Sequence, residues 1–116
     1  MSLEYNIQKG VQNGDFIISR TKKATKLEIK EDKGGAILKI KVGEYTVLYE
    51  IPLKNVIETG IICLKKYRKT DKLIQIIFIE GKQHLRIMRL NIQDDQIDGL
   101  NDKIRELSIR ATYEAL

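Results

Sequence analysis

Several residue types that mark common protein classes are absent or rare in this chain of 116 residues. It contains no tryptophan, one cysteine, one histidine and one proline. A single cysteine cannot form an internal disulfide, and with one histidine it does not supply a zinc ligand set. No apolar run approaches the about 20 residues of a membrane-spanning helix, and the N-terminus lacks the pattern of a secretory signal. These absences predict a cytoplasmic, reduced protein of one domain (residues 1–116), without metal or cofactor.

The charge of the chain is positive and unevenly distributed. Lys and Arg number 21 against 16 Asp and Glu, for a net charge of +5. The positive excess lies between Arg20 and Arg89, whereas the segment from Leu90 onward is net negative. A basic body attracts anionic partners, and it also keeps a protein soluble, so charge alone does not define a ligand.

Most of the chain alternates apolar and polar residues with a period of two. In residues 26–30, for example, Leu27 and Ile29 fall on one face, and this pattern is typical of antiparallel strands with one face buried. Hairpin-length turns are predicted at residues 31–35, 43–44, 68–72 and 80–82. Seven strands are expected between about residues 15 and 91, the first being DFIISR at 15–20. The segment LIQIIFIE at 73–80 is apolar on both faces and is expected to be a central, covered strand.

The period changes after residue 91 to steps of three and four, which predicts a helix from about residue 94 to 114. Asp94 or Asp95 is a suitable N-cap, and acids in the first turn suit the helix dipole. One apolar stripe runs along this helix: Ile97, Leu100, Ile104, Leu107 and Ala111. The predicted fold is therefore mainly β, a small antiparallel β-sandwich or barrel of about seven strands capped by one C-terminal α-helix.

The only proline interrupts an alternating strand in the segment YEIPLKNVIE. Proline lacks the N–H of a ladder hydrogen bond, so Pro52 belongs at an edge, a bulge or a bend. We expect one strand to bend here between two sheets, with Leu53, Val56 and Ile57 returning to the core. The alternative is that Pro52 opens a loop between two ordinary strands.

Seven short strands, the step IPLKNVIE at residues 51–58 and one C-terminal helix together resemble the pleckstrin-homology-like (PH-like) superfold. The resemblance is closer to GRAM-type and prokaryotic members, and it covers residue 15 to the C-terminus. It implies an anion site in the loop between the first two strands. Typical pleckstrin-homology domains carry a tryptophan in the final helix, and this chain has none.

Two runs of cations are candidate anion-binding sites. The first contains Lys65, Lys66, Arg68, Lys69 and Lys72 around Tyr67, at a hairpin tip where lipid headgroups or nucleic-acid phosphates would be accessible. The second is the one that the resemblance implies, with Arg20, Lys22, Lys23 and Lys26. Solvated lysines that discourage edge-to-edge aggregation are the simpler interpretation of both runs.

No residue pattern indicates catalysis. His84 is placed at the start of a strand and has no identifiable acid or base partner. Cys63 alternates in phase with Ile61, which predicts a small buried residue and not a nucleophile. The acids Asp94, Asp95, Asp98 and Asp102 fit a helix start better than a calcium loop. No phosphate loop or hydrolase motif is present.

The sequence therefore favours a non-catalytic binding module, most of all a protein-interaction adaptor that uses an open sheet edge or the groove beside the capping helix. Modules of this kind occur in prokaryotic signalling adaptors. Binding of an anionic membrane surface through the two basic runs is the second hypothesis, and nucleic-acid binding is the third. Pairing of two copies through an unpaired edge or the helix is also left open.

Overall fold

The fold is described from a computed structural model that covers residues 2–11, 24–66 and 69–115. Of these, only the backbone is described for residues 9–11, 64, 66, 69–71 and 112–115. The structure contains seven strands, one short 3-10 helix and one α-helix. In chain order they are β1 (Ser2–Val11), β2 (Lys26–Asp32), β3 (Gly35–Val42), β4 (Thr46–Pro52), the 3-10 helix (Leu53–Asn55), β5 (Val56–Lys66), β6 (Lys69–Glu80), β7 (His84–Ile92) and α1 (Asp94–Ala115).

The seven strands form one antiparallel sheet in the order β4-β3-β2-β1-β7-β6-β5, and the sheet does not close. Strand β1 is the centre and joins an N-terminal half-sheet, β1–β4, to a C-terminal half-sheet, β5–β7. Side chains from both halves belong to a single buried cluster, including Leu38 and Ile40 from β3 and Ile76 and Phe78 from β6. The prediction of about seven antiparallel strands and one C-terminal helix is confirmed.

The first strand differs from the predicted one. Strand β1 begins at Ser2, where alternation of exposed Glu4 and Asn6 with Tyr5 and buried Ile7 satisfies the same period-two rule as the later strands. The strand predicted at residues 15–20 lies outside the described residues. The strands therefore extend N-terminally beyond the start expected from the sequence.

A β-bulge in β4 explains why its sequence alternates imperfectly. Ile40 pairs with Tyr49 and Lys41 pairs with Val47, so Leu48 is an extra residue in the ladder. The bulge leaves Leu48 against the core and places Val47 on the outer face, 39% exposed. Tyr45 is outside β4 and 91% exposed. Uninterrupted alternation of residues 45–51 predicts Tyr45 and Val47 on the same buried face as Ile51, and the structure shows that this prediction is wrong for both.

Pro52 ends a strand and does not bend one. Strand β4 stops at Pro52, the 3-10 helix follows, and β5 begins at Val56, at the opposite edge of the sheet. The last residue of an edge strand can lack an N–H without loss of a ladder hydrogen bond. The structure thus agrees with the alternative, in which Pro52 opens the connection between two ordinary strands. Leu53 and Val56 are buried as expected, but Ile57 is 56% exposed because a second bulge separates Val56 from Glu58 in the ladder.

Strand β6 is paired on both sides, by β5 and β7, although it is not the central strand. It begins at Lys69, so the turn predicted over residues 68–72 is wrong from Lys69 onward. Pairing of β6 with β7 begins at Ile74. The five residues before it, 69–73, pair with β5 alone among the described residues. These five residues and residues 62–66 form a two-stranded extension that we call the basic arm.

Helix α1 covers the open side of the sheet. Its apolar stripe of Ile97, Leu100, Ile104 and Leu107 is buried in the common core, as predicted. Asp94 and Asp95 lie in its first turn, where their charges favour the helix dipole. An ionic group ties the far end of α1 to β2: Glu31 lies 3.3 Å from Arg110 and 4.0 Å from Lys103.

Candidate functional site

The outer face of the N-terminal half-sheet is a mosaic of opposite charges. Three ion pairs cross it, with N–O distances of 3.8 Å (Lys26–Glu4), 3.6 Å (Lys41–Glu28) and 3.9 Å (Lys39–Glu50). The Lys41–Glu28 pair is the most protected from water, with side chains 9% and 14% exposed. Cross-strand pairs of opposite charge stabilise a sheet and leave little apolar surface for a partner.

The outer face of the C-terminal half-sheet is aliphatic. The register pairs Ile79 with Leu85 and Ile77 with Ile87. In β5 it sets Glu58 opposite Ile77, next to the exposed bulge residue Ile57. Leu85 is 58% exposed. Next in the ladder, the Gln75–Arg89 pair forms a polar border, with Arg89 Nε donating to Gln75 Oε1 at 2.8 Å. An apolar centre with a polar rim is the arrangement found at protein interfaces.

The two edge strands of the sheet differ as well: β4 has features that prevent pairing with another strand, and β5 has an uncharged edge. Strand β4 has seven residues, carries a bulge at Leu48 and ends in Pro52, which are features that prevent another strand from pairing. Strand β5 has eleven residues and pairs with β6 alone within the described part of the chain. Its bulge and Glu58 lie near one end and its lysines near the other. Residues 59–64, TGIICL, form an uncharged edge between them.

Helix α1 runs beside this uncharged edge and is fixed to it by a buried hydrogen bond. Thr59 Oγ1 donates to Asn101 Oδ1 at 3.0 Å, and both residues are buried. On the helix surface, positions three or four residues from Asn101 include Asp98 and Arg105, and both side chains are exposed. The edge of β5 is thus bordered on one side by a helix with charged groups available to solvent.

The structure places part of the first predicted basic cluster on the basic arm. Lys65 and Lys72 are exposed and lie on the same face of the arm, because Lys72 pairs with Cys63 and side chains two residues apart in a strand share a face. The register sets Lys66 directly opposite Lys69. Arg68 lies outside the described residues. The described arm contains four lysines and one acid, Asp71.

The second predicted cluster is divided. Arg20, Lys22 and Lys23 lie outside the described residues. Lys26 is the first residue of β2, and its ammonium group is engaged with Glu4 across the outer face. Lys26 is therefore one of the lysines that form ion pairs across the outer face of the N-terminal half-sheet.

Cys63 is exposed, contrary to the prediction of a buried residue. It does follow Ile61 in phase, but it lies on the basic arm, where β6 pairs with β5 alone among the described residues. His84 begins β7, as expected, and is exposed. Among the described residues, no three His, Cys, Asp or Glu side chains are grouped closely enough to hold a metal ion.

Comparison with protein-family models and with curated proteins finds no match to this chain. Within the described residues, no helix has the length and apolar character required to span a membrane.

The sequence predictions missed the aliphatic outer face and the uncharged edge. The signal for the first was present, because residues 73–80 are apolar at both odd and even positions, and this pattern was taken to mean burial on both faces. The odd-numbered face is instead part exposed at Ile77 and Ile79. The edge position of β5 depends on strand order, which local periodicity does not encode.

Proposed function

We propose that this protein is a non-catalytic interaction module that binds a partner protein by strand addition to the edge of β5. The observation that supports the proposal is the uncharged edge at residues 59–64, in a sheet whose other edge is short, bulged and ended by proline. Exposed N–H and C=O groups of an edge strand are a template for another strand, and native proteins that do not use such an edge protect it.

The architecture supports a second part of this proposal, that the chain is a PH-like domain. The support is the set of elements, seven antiparallel strands followed by one C-terminal helix, and β1 lies before residue 15, where the resemblance begins. The fold alone does not define a ligand, so the functional argument rests on the edge and its surroundings.

Partner capture with two matched variants tests strand addition. Cys63→Lys adds a charge to the β5 edge at an exposed side chain, so the fold is retained while an incoming strand is disfavoured. Val47→Lys adds the same charge to the β4 edge, also at an exposed position. The expected result is a partner retained by the wild type and by Val47→Lys and lost by Cys63→Lys. A partner lost equally from both variants, or from neither, would contradict the proposal.

The same experiment reports on self-pairing. If the protein captured by the wild type is a second copy of this chain, sedimentation will show a dimer in the wild type and in Val47→Lys and a monomer in Cys63→Lys. The edge would then be an interface between copies.

Binding of an anionic surface through the basic arm is a second candidate function. The observation that favours it is that Lys65 and Lys72 are exposed on one face of the arm, where two neighbouring cations are better accommodated near an anionic partner. Each lysine near an anionic membrane contributes about 1 kcal/mol.

Vesicle co-sedimentation distinguishes this function from strand addition. The variant Lys65→Glu/Lys72→Glu is compared with Lys33→Glu/Lys82→Glu, which changes the net charge equally at exposed lysines elsewhere. Membrane binding through the arm predicts loss of anionic-vesicle binding in the first variant and retention in the second. It also predicts that Cys63→Lys, which adds a cation to the arm, still binds. Equal binding by the two charge-reversed variants would exclude the arm as the membrane site, and duplex DNA in place of vesicles tests nucleic acid with the same variants.

A further inference from the structure

Gly60, the second residue of the uncharged edge, is a glycine that the described part of the fold does not require. Its φ is not in the positive range, unlike those of Gly35, Gly43 and Gly81 in the turns. A Cβ built on Gly60 meets no atom of the described residues within 4 Å. Glycine in a strand weakens the strand and often marks a place where a ligand or another backbone approaches closely. Among the described residues, neither the backbone conformation nor a close neighbour accounts for a glycine at this position.

The register defines what borders the vacancy. Gly60 pairs with Gln75, and Gln75 pairs with Arg89, so these three positions form one row on the outer face. Because the Gln75 amide accepts a hydrogen bond from the Arg89 side chain, the far end of the row is a flat polar group next to a guanidinium. No described strand lies beyond the near end, since β5 is an edge strand of the described sheet.

A strand added to β5 would place one residue opposite Gly60, about 4.8 Å farther out. Its side chain would cross the vacant position before it reached Gln75. An aromatic ring covers the width of Gly60 and reaches the Gln75 amide, which Arg89 Nε holds in place, whereas alanine or valine is too short. Aromatic residues across from an edge glycine are a known means of compensating for the missing side chain.

Charge complementarity defines the other end of the partner. The edge of β5 continues from residues 59–64 into Lys65, which is exposed, and Lys66. A strand paired antiparallel to β5, as are all described strands of this sheet, would present acidic residues there. Counting back along such a strand from the residue opposite Gly60, the positions opposite Lys65 and Lys66 come five and six residues earlier.

We infer that the β5 edge selects an extended segment in which an acidic pair precedes an aromatic residue by five and six positions, with the aromatic side chain over Gly60. This inference rests on the proposed strand addition and specifies its partner. It assigns Gly60, Gln75 and Arg89 to recognition of the aromatic residue and Lys65 and Lys66 to orientation of the segment.

The test is selection of random twelve-residue peptides displayed on phage, with the wild type as bait. Val47→Lys serves as the matched positive control, and Cys63→Lys and Gly60→Val as test baits. The expected result is enrichment of the acidic-pair-to-aromatic pattern on the wild type and Val47→Lys. Synthetic peptides with this pattern will bind Gly60→Val about tenfold more weakly, an effect of the size of one aromatic contact.

Stability measurements separate a role in recognition from a role in folding. Since the space at Gly60 is open and valine favours strands, Gly60→Val will unfold at the same or a higher urea concentration than the wild type. Weaker peptide binding by a variant that is no less stable supports the inference. A variant that unfolds at clearly lower urea would show that the glycine serves the fold and would overturn it.

The remaining outcomes separate strand addition to β5 from the selectivity for an acidic pair and an aromatic residue. Peptides that Cys63→Lys rejects, but that lack the aromatic residue or carry the acids at the opposite end, would leave strand addition in place and overturn the selectivity. Peptides that bind Cys63→Lys as well as the wild type, or no enrichment at all, would contradict strand addition and the inference with it.

Discussion

The two half-sheets share one core but present opposite outer faces to their surroundings. On β1–β4, charged side chains pair across the strands, and the β4 edge is short and ended by Pro52. On β5–β7, aliphatic side chains occupy the corresponding face, and the β5 edge has six uncharged residues in succession. The inner face of a sheet is thus constrained by folding in both halves. The outer face and the edge are not constrained in this way, and it is there that the two halves differ.

The largest expected effect tests whether the two halves form one cooperative unit. Phe78 of β6 is 2% exposed and packs edge-to-face on Tyr49 of β4, with ring centroids 6.1 Å apart. Phe78→Ala is expected to lower the free energy of unfolding by about 3–5 kcal/mol. Urea unfolding followed by both circular dichroism and tyrosine fluorescence should still show one transition.

Leu85→Ala is the control for this prediction. Leu85 is on the outer face of the same half-sheet, and its loss should change the free energy of unfolding by no more than about 0.5 kcal/mol. Two separate transitions in Phe78→Ala, or equal effects of the two substitutions, would show that the half-sheets do not share a core.

The next effect concerns the buried hydrogen bond that holds helix α1 against β5. Thr59→Val keeps the shape of the side chain but leaves Asn101 Oδ1 without its donor, at an expected cost of about 1–3 kcal/mol. Thr59→Val/Asn101→Leu removes both polar partners, and its free energy of unfolding should recover part of that loss. Strictly additive effects in the double variant would mean that the two side chains do not interact in solution.

A smaller effect separates a protected ion pair from an exposed one on the charged half-sheet. Glu28→Gln removes the partner of Lys41 where both side chains are largely shielded, and it should cost about 1 kcal/mol. Glu50→Gln alters a pair whose carboxylate side chain is 52% exposed, so its effect should lie within about 0.5 kcal/mol. Thermal unfolding of both variants at low and high salt measures the difference, and a larger effect at Glu50 would refute this ranking.

The smallest effect is on the central strand and depends on pH. Burial raises the pKa of Tyr5 above its ordinary value of 10.0, because the charged phenolate loses solvation in the folded state. Above about pH 10 the unfolded chain releases this proton more readily than the folded chain, so the contribution of Tyr5 to stability is complete below that pH and is lost as the pH rises. Tyr5→Phe should therefore lose less stability than the wild type between about pH 9 and pH 11. Parallel curves of unfolding free energy against pH for the two proteins would contradict the raised pKa of Tyr5.

Local periodicity predicted most of the secondary structure. The stripe of Ile97, Leu100, Ile104 and Leu107 defined helix α1, and alternation in residues 26–30 defined β2, because each pattern is produced by a single element with one buried face. The bulges were harder to foresee, since one inserted residue moves its neighbours to the other face. The extra residue Leu48 moves Val47 to the outer face of β4. The extra residue Ile57 interrupts the alternation at the start of β5.

The candidate site was less accessible to prediction, because it depends on which strands are neighbours. Periodicity shows that residues 73–80 are apolar on both faces, but not that one of those faces is part exposed. Likewise, Cys63 has the phase of a core residue but is exposed, on an arm where β6 pairs with β5 alone among the described residues. Open sheet edges were expected in general terms, and strand order was needed to identify β5 as the unprotected one.

The most direct test of the account is an NMR titration of the wild-type protein with a peptide from the displayed library, read out at the backbone amides of both edge strands. Strand addition to β5 predicts that the shifts and the slowed hydrogen exchange concentrate on residues 59–66, while Thr46–Pro52 is unaffected. Changes concentrated on Thr46–Pro52, or on the exposed face of α1 with β5 unchanged, would contradict it.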